Sequence, residues 1–203
     1  MHMVCLDLEG VLVPEIWIAF AEATGIPELK KTTRDEPDYD KLMQYRLGIL
    51  REHGLKLPDI QRVIAGMDPL EGAAEFTEAL RERTQLAVLS DTFRQFAGPL
   101  MKKLRWPTLF CNELTVAPDG AITGYRLRQK DGKRKAVQAF HSMNVKVFAS
   151  GDSYNDLSMI READGGALFR APESIRAEHP EIPVCDSYSG LLRAVDSFLQ
   201  QQA

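Results

Sequence analysis

Two periods alternate along the chain. Short apolar runs of strand length occur at "MVCLDL" (3–8), "QLAVLS" (85–90), "VKVFAS" (145–150) and "GGALF" (165–169). Between them, apolar positions recur at helical spacing. That spacing predicts a helix over 15–24, stopped by Gly25 and Pro27. It predicts another over about 40–53, with Met43, Leu47 and Leu50 on one face, and a third over about 58–66, opened by Pro58. A helix over 72–83 carries Ala73, Phe76 and Leu80, and the next is marked by Phe93, Phe96, Leu100 and Leu104. Helices follow over about 133–142, 155–163 and 188–201, the last burying Leu191, Leu192, Val195, Phe198 and Leu199. Residues 109–128 read as short strands around the turn "APDG", and "TTRDEPDYD" (32–40) is a polar break.

Strands alternating with helices predict an α/β protein, a Rossmann-like parallel sheet with helices on both faces. The stretch 14–70 holds helices and no good strand, directly after strand one. It reads as a small helical cap inserted into a core made of 1–13 and 71–203. Gly25, Gly54 and Gly72 lie near its joints and are candidate hinges.

Composition narrows the class. Hydrophobic residues are 44% of 203 and charged residues 27%, enough for a real core. The net charge is -4, and no Lys/Arg run stands out, so neither nucleic acid nor a membrane is an expected partner. Cys5, Cys111 and Cys185 are far apart and the four histidines are scattered, which argues against a disulfide framework and a zinc site. No secretory leader is evident, and no apolar run reaches the ~18 residues of a membrane span. These features predict a soluble cytoplasmic protein, either a monomer or a homodimer.

In open parallel sheets, ligands bind beyond the carboxyl ends of the strands. Strand one ends in Asp7-Leu8-Glu9-Gly10, strand two in Ser90-Asp91-Thr92, and a later strand in Gly151-Asp152-Ser153-Tyr154-Asn155-Asp156. The densest basic stretch, "KDGKRKA" (130–136), lies between the last two. Each piece alone reads equally well as a turn or helix cap. Together they bring carboxylates, hydroxyls and a lysine to one rim. Carboxylates suit Mg²⁺, and a hydroxyl with an ammonium suits phosphate. That pairing points to phosphoryl transfer, with an aspartate able to act as nucleophile. Alternate residues of an extended segment share a face, so Asp7 and Glu9 can serve one reaction in different protonation states while Leu8 faces the core.

"DLEGVL", "LSDTF", a lysine and "GDSYND" resemble, in order, the four motifs of the haloacid dehalogenase-like phosphatase superfamily. The resemblance covers the whole chain and is nearest to the phosphoserine phosphatase branch. "CLDLEGVLVPEIWIAFAEATGI" is similar to the bacterial bifunctional members of that branch, which also move phosphate to homoserine. The resemblance implies a Mg²⁺-dependent phosphatase acting on phosphoserine through an aspartyl-phosphate, with homoserine as a second substrate. Asp7 matches the nucleophile. Glu9 matches the acid/base, and its main-chain carbonyl a Mg²⁺ ligand. Ser90 matches the phosphate-binding hydroxyl, and Lys133, ahead of Lys130 and Lys135, the phosphate lysine. Asp152 matches the metal carboxylate, Asp156 the acid supporting it at the metal site, and Asn155 a position reaching phosphate or substrate. Glu15 and Arg46 resemble the cap pair that reads the amino and carboxylate groups of phosphoserine.

Two departures bear on substrate. Most of the superfamily has Asp where this chain has Glu9, and ordinary phosphoserine phosphatases tend to have glycine where it has Asp91. Other readings are a phosphatase of a different small phosphorylated metabolite, a silent binding scaffold, or a receiver-type signalling module. The Glu9 beside Asp7 and the helical insertion argue against the receiver. A scaffold is expected to lack Asp7, Ser90 or Asp152, and all three are present.

Overall fold

The structure, a computed structural model, describes residues 1–33, 35–36 and 38–201. Arg34 and Pro37 of the polar break lie outside the described residues. The sheet strands are β1 (His2–Leu6), β2 (Gln85–Phe93), β3 (Thr108–Val116), β4 (Ile122–Arg126), β5 (Lys146–Gly151), β6 (Gly165–Phe169) and β7 (Val184–Cys185). They form one seven-stranded sheet in the order β4-β3-β2-β1-β5-β6-β7. All neighbours pair parallel except β3 and β4, an antiparallel hairpin at one edge.

The helices are α1 (Ile16–Thr24), α2 (Tyr39–Glu52), α3 (Leu57–Gly66), α4 (Ala73–Arg81), α5 (Arg94–Lys103), α6 (Gly132–Ser142), α7 (Leu157–Glu162), α8 (Glu173–Glu178) and α9 (Tyr188–Gln201). Alternate residues of the central strands bury into two cores. Val4, Leu6, Leu86, Val88 and Phe169 belong to one, which includes residues of α4, α5 and α9. Cys5, Ala87, Leu89, Val147 and Leu168 belong to the other, beneath α6 and α7. This is the two-faced burial expected of a doubly wound sheet.

The segment between β1 and β2 carries α1, a 3₁₀ turn (Pro27–Lys30), α2 and α3 before α4. Asp38 caps α2 by accepting the N–H groups of Asp40 and Lys41. This segment is not a loose flap. Trp17 of α1 meets Phe96 of α5 edge-to-face at 5.7 Å, and the first core runs through both. The hairpin grips the other side: the Leu57 N–H donates to the Gly120 carbonyl at 2.9 Å, Lys56 pairs with Asp119 at 2.8 Å, and Tyr125 bonds Asp40.

The structure departs from the sequence reading in a few places. Phe93, assigned above to a helix, ends β2 instead, because Thr92 and Phe93 are buried and the strand, after a register shift between Leu89 and Phe93, rejoins β3 by pairing Phe93 with Asn112. The 155–163 helix begins as a 3₁₀ turn, Tyr154–Asp156, and turns α-helical at Leu157. The 3₁₀ turn at Pro27–Lys30, α8 and the two-residue β7 are additions. Among the described residues, no helix is long and apolar enough to cross a membrane.

Candidate active site

The order of strands reverses between β1 and β5, since the chain proceeds outward from β1 on one side and from β5 on the other. The crevice at such a switch point is where this architecture binds ligands. The chain leaves β1 at Asp7, whose N–H still bonds the Ser150 carbonyl at 3.0 Å. It then turns at Gly10, with φ 78°. A side chain there would be strained, and its Cβ would lie 2.6 Å from the Asp152 carboxylate. A glycine at this turn therefore lets the β1 and β5 loops close on each other.

Asp7, Ser90, Lys133 and Asp152 line one cavity of about 250 Å³ together with Glu9, Glu15, Arg46 and Asn155. Asp7 Oδ1 accepts the Leu8 N–H at 2.7 Å and lies 3.0 Å from Lys133 Nζ. Lys133, buried in the first turn of α6, also donates to Asp156 Oδ1 at 2.6 Å. Lys130 and Lys135 are exposed on either side of it. Asp156 is fully buried, and its Oδ2 accepts the N–H groups of Asp152 and Ser153, each at 3.1 Å. It therefore ties the lysine to the backbone that presents Asp152.

Burial pushes the Asp7 carboxyl up, and the carboxylates of Asp156 and Asp152 push the same way against the pull of Lys133. Lys133 is held well above its ordinary range by Asp156 and Asp7, although its burial works against the charge. Carboxylate oxygens of Asp7, Asp152 and Asp156 lie within 4.8 Å of one another. Oxygen-only donors gathered around a single rim fit a hard divalent cation such as Mg²⁺.

Glu9 sits apart from this cluster, facing the helical segment. Its Oε2 accepts the Ile16 N–H at 2.9 Å, at the start of α1. Burial, and then the neighbouring Glu15 carboxylate, raise its pKa to about 7. Arg46 of α2 is 7% exposed, stacks its guanidinium 4.6 Å above the Trp17 ring, and donates to the Lys31 carbonyl at 2.9 Å. Burial lowers its pKa to about 10, well within the charged range at neutral pH. Among the described residues its Nε is buried without a partner. A planar cation braced on an aromatic face beside a cavity is a ready carboxylate fork.

Ser90 is buried, and its Oγ accepts the Thr92 N–H at 3.2 Å. Asn155 is exposed at the mouth, donating to Asp91 Oδ2 at 2.8 Å and accepting from Ser153. The residues assigned to the site from the sequence therefore line this cavity, except Asp156, which lies buried behind Lys133 and Asp152, while the weaker candidates Lys130 and Lys135 stay outside it. The sequence reading gave no role to Trp17 and Tyr39 and placed Thr92 only among the residues that end strand two; all three line the cavity. Tyr39 donates to the Asp91 carbonyl at 3.2 Å, joining α2 to β2. Aromatic residues at helical spacing read as core, and a threonine inside a strand reads as β-propensity. In sequence only Trp17, two residues from Glu15, and Thr92, two from Ser90, carry a signal; Tyr39 carries none.

A doubly wound sheet presenting an aspartate, a buried lysine and further carboxylates at its switch point fits a hydrolase of the haloacid dehalogenase-like type. The chain belongs to that family, which residues 1–164 match as haloacid dehalogenase-like hydrolase. More particularly, it is 58% identical over 193 residues to the phosphoserine phosphatase ThrH of Pseudomonas aeruginosa, covering 95% of this chain and 94% of that one. It is 56% identical to a phosphoserine phosphatase of Pseudomonas syringae pv. tomato, covering 94% of this chain and 80% of the relative. The crystal structure of a phosphoserine phosphatase from T. onnurineus in complex with NDSB-201 superposes with a TM-score of 0.73 at 25% identity, covering 95% of this chain and 92% of that one.

Proposed function

We propose that this chain is a Mg²⁺-assisted phosphoserine phosphatase that works through a phosphorylated Asp7 and also passes phosphate to homoserine. The observation that carries this reading is the convergence of Asp7, Lys133 and Ser90 on a cavity whose far wall holds Glu9, Glu15 and Arg46. The high identity to phosphoserine phosphatase ThrH supports the choice of substrate, and that name favours a link to threonine formation.

In this reading, Asp7 attacks phosphorus and the serine oxygen leaves with a proton from Glu9. Glu9 then takes a proton from the incoming hydroxyl, whose oxygen displaces Asp7 from phosphorus. Ser90 and Lys133 hold the phosphoryl oxygens, and Asn155 borders them at the mouth. Arg46 takes the substrate carboxylate and Glu15 its ammonium. Asp7, Asp152 and the Glu9 carbonyl would hold Mg²⁺, with Asp156 fixing Asp152 and Lys133. When bound, the ion supplies charge neutralisation for the phosphoryl group. Residues 14–70 act as the cap over a core of 1–13 and 71–203, and the sparse cysteines favour a cytoplasmic setting.

The test is phosphate bookkeeping. The protein is incubated with Mg²⁺ and L-phosphoserine, with and without L-homoserine, and free phosphate and phosphohomoserine are quantified. Phosphohomoserine formed at the expense of free phosphate is the expected result. Free phosphate alone removes the transfer activity and leaves the phosphatase. No turnover of phosphoserine overturns the substrate assignment.

A further inference from the structure

The Glu9 carboxyl has one firm anchor, the Ile16 N–H on Oε2. A glutamate side chain ends in a broad rotor, so a single bond leaves the working oxygen, Oε1, loosely directed. The hydroxyl beside it is that of Thr92, which lines the same cavity next to the Glu9 carboxyl. Yet Thr92 is 5% exposed, and its Oγ1 is shielded from solvent and, among the described residues, has no hydrogen-bond partner. Buried polar atoms without partners are rare, and each one in a folded protein calls for a reason. The group available to it on the same cavity wall is the Glu9 carboxyl. The strand accounts for the placement, since Thr92 follows Ser90 by two residues and its N–H donates to the Ser90 Oγ at 3.2 Å.

We infer that Thr92 is a positioning residue for proton transfer, its hydroxyl and the Ile16 amide together aiming Glu9 at the oxygen that leaves or attacks phosphorus. This rests on the roles proposed above for Asp7 and Glu9. In the first half, the Asp7–phosphorus bond forms, the serine oxygen–phosphorus bond breaks, and the Glu9 proton goes to the serine oxygen. In the second, the acceptor oxygen–phosphorus bond forms, the Asp7–phosphorus bond breaks, and the acceptor proton goes to Glu9. A hydroxyl suits both halves, because it donates to a carboxylate and accepts from a carboxylic acid.

The experiment compares Thr92→Val, which keeps the shape and removes the hydroxyl, with Thr92→Ser, which keeps the hydroxyl. Acid/base groups contribute about 10²–10⁴-fold, and loss of their aim should remove part of that. The valine variant is expected to lose about tenfold or more in kcat for L-phosphoserine, with KM nearly unchanged and Tm no lower than wild type. The serine variant should recover most of kcat. A valine variant with wild-type kcat, or a serine variant as slow as valine, overturns the inference. So does a valine variant whose loss comes with a lower Tm and a raised KM, which is the mark of a purely structural role. If the wild-type protein does not turn over phosphoserine, the substrate reading fails separately. The same series on p-nitrophenyl phosphate then decides the role of Thr92.

Discussion

Lys133→Met tests the electrostatic core of the site. Lys133 is 5% exposed and bonds two buried carboxylates, Asp7 at 3.0 Å and Asp156 at 2.6 Å. Methionine fills the same space but leaves both acids without their cation. Removing one partner of a buried ion pair typically costs about 3–5 kcal/mol, because the remaining charge stays desolvated. At about 2–4 °C per kcal/mol for a chain of this size, that is a fall of roughly 6–20 °C in Tm. The assay is thermal unfolding in the presence of a chelator, so that a divalent cation does not stand in for the lysine. Addition of excess Mg²⁺ should return part of the loss, and turnover should fall sharply. Lys130→Met and Lys135→Met, both at exposed positions, serve as controls and should stay within about 0.5 kcal/mol of wild type. A Lys133→Met protein as stable and as active as its controls would refute the reasoning.

Two further outcomes follow from the geometry. Arg46→Ala should raise KM for phosphoserine by roughly 10- to 100-fold, the worth of about 1.5–3 kcal/mol for a charge-assisted contact, with a smaller effect on kcat; unchanged KM would remove Arg46 from substrate recognition. Far from the site, Asp164 accepts from Lys146 Nζ at 2.7 Å, the Val147 amide at 2.9 Å and His141 Nε2 at 2.8 Å. Partial burial opposes the charge, but these donors hold the pKa down to about 2 from 3.8. A depressed carboxyl stabilises the fold above its unfolded pKa, and the contribution fades as pH falls from about 4 through about 2. It amounts to about 2 kcal/mol at most, less after solvent screening. Asp164→Asn should therefore lower stability near neutral pH and flatten the acid limb of a denaturation-versus-pH curve; an unchanged acid limb would contradict this.

Much of the fold could be read from periodicity because the sheet strands are buried on both faces. "GGALF" is β6 residue for residue, "QLAVLS" is the first six residues of β2, and "VKVFAS" covers all of β5 but its last residue. Phe93 was misread for a physical reason: it falls at helical spacing with Phe96 and Leu100, while its pairing to Asn112 is a long-range contact. The two residues of β7 and the six of α8 are too short to carry a period. At the site, the charged motif residues stood out because carboxylates and lysines ending apolar runs conflict with burial unless they have work to do. Trp17 did not, since an aromatic on an amphipathic helix looks like any core residue until Arg46 is seen stacked on it. Nor could the sequence show that Lys133, rather than Lys130 or Lys135, turns inward, because that depends on where α6 begins.

The central claim is that Asp7 carries the phosphoryl group. The most direct measurement is to mix the protein and Mg²⁺ with L-phosphoserine labelled with phosphorus-32, quench in acid within one turnover, and locate the label by peptide mapping. Stoichiometric, hydroxylamine-labile label on Asp7, absent from an inactive Asp7→Asn protein, is the predicted result. Label on another residue, or phosphoserine turnover that survives Asp7→Asn, would contradict the account.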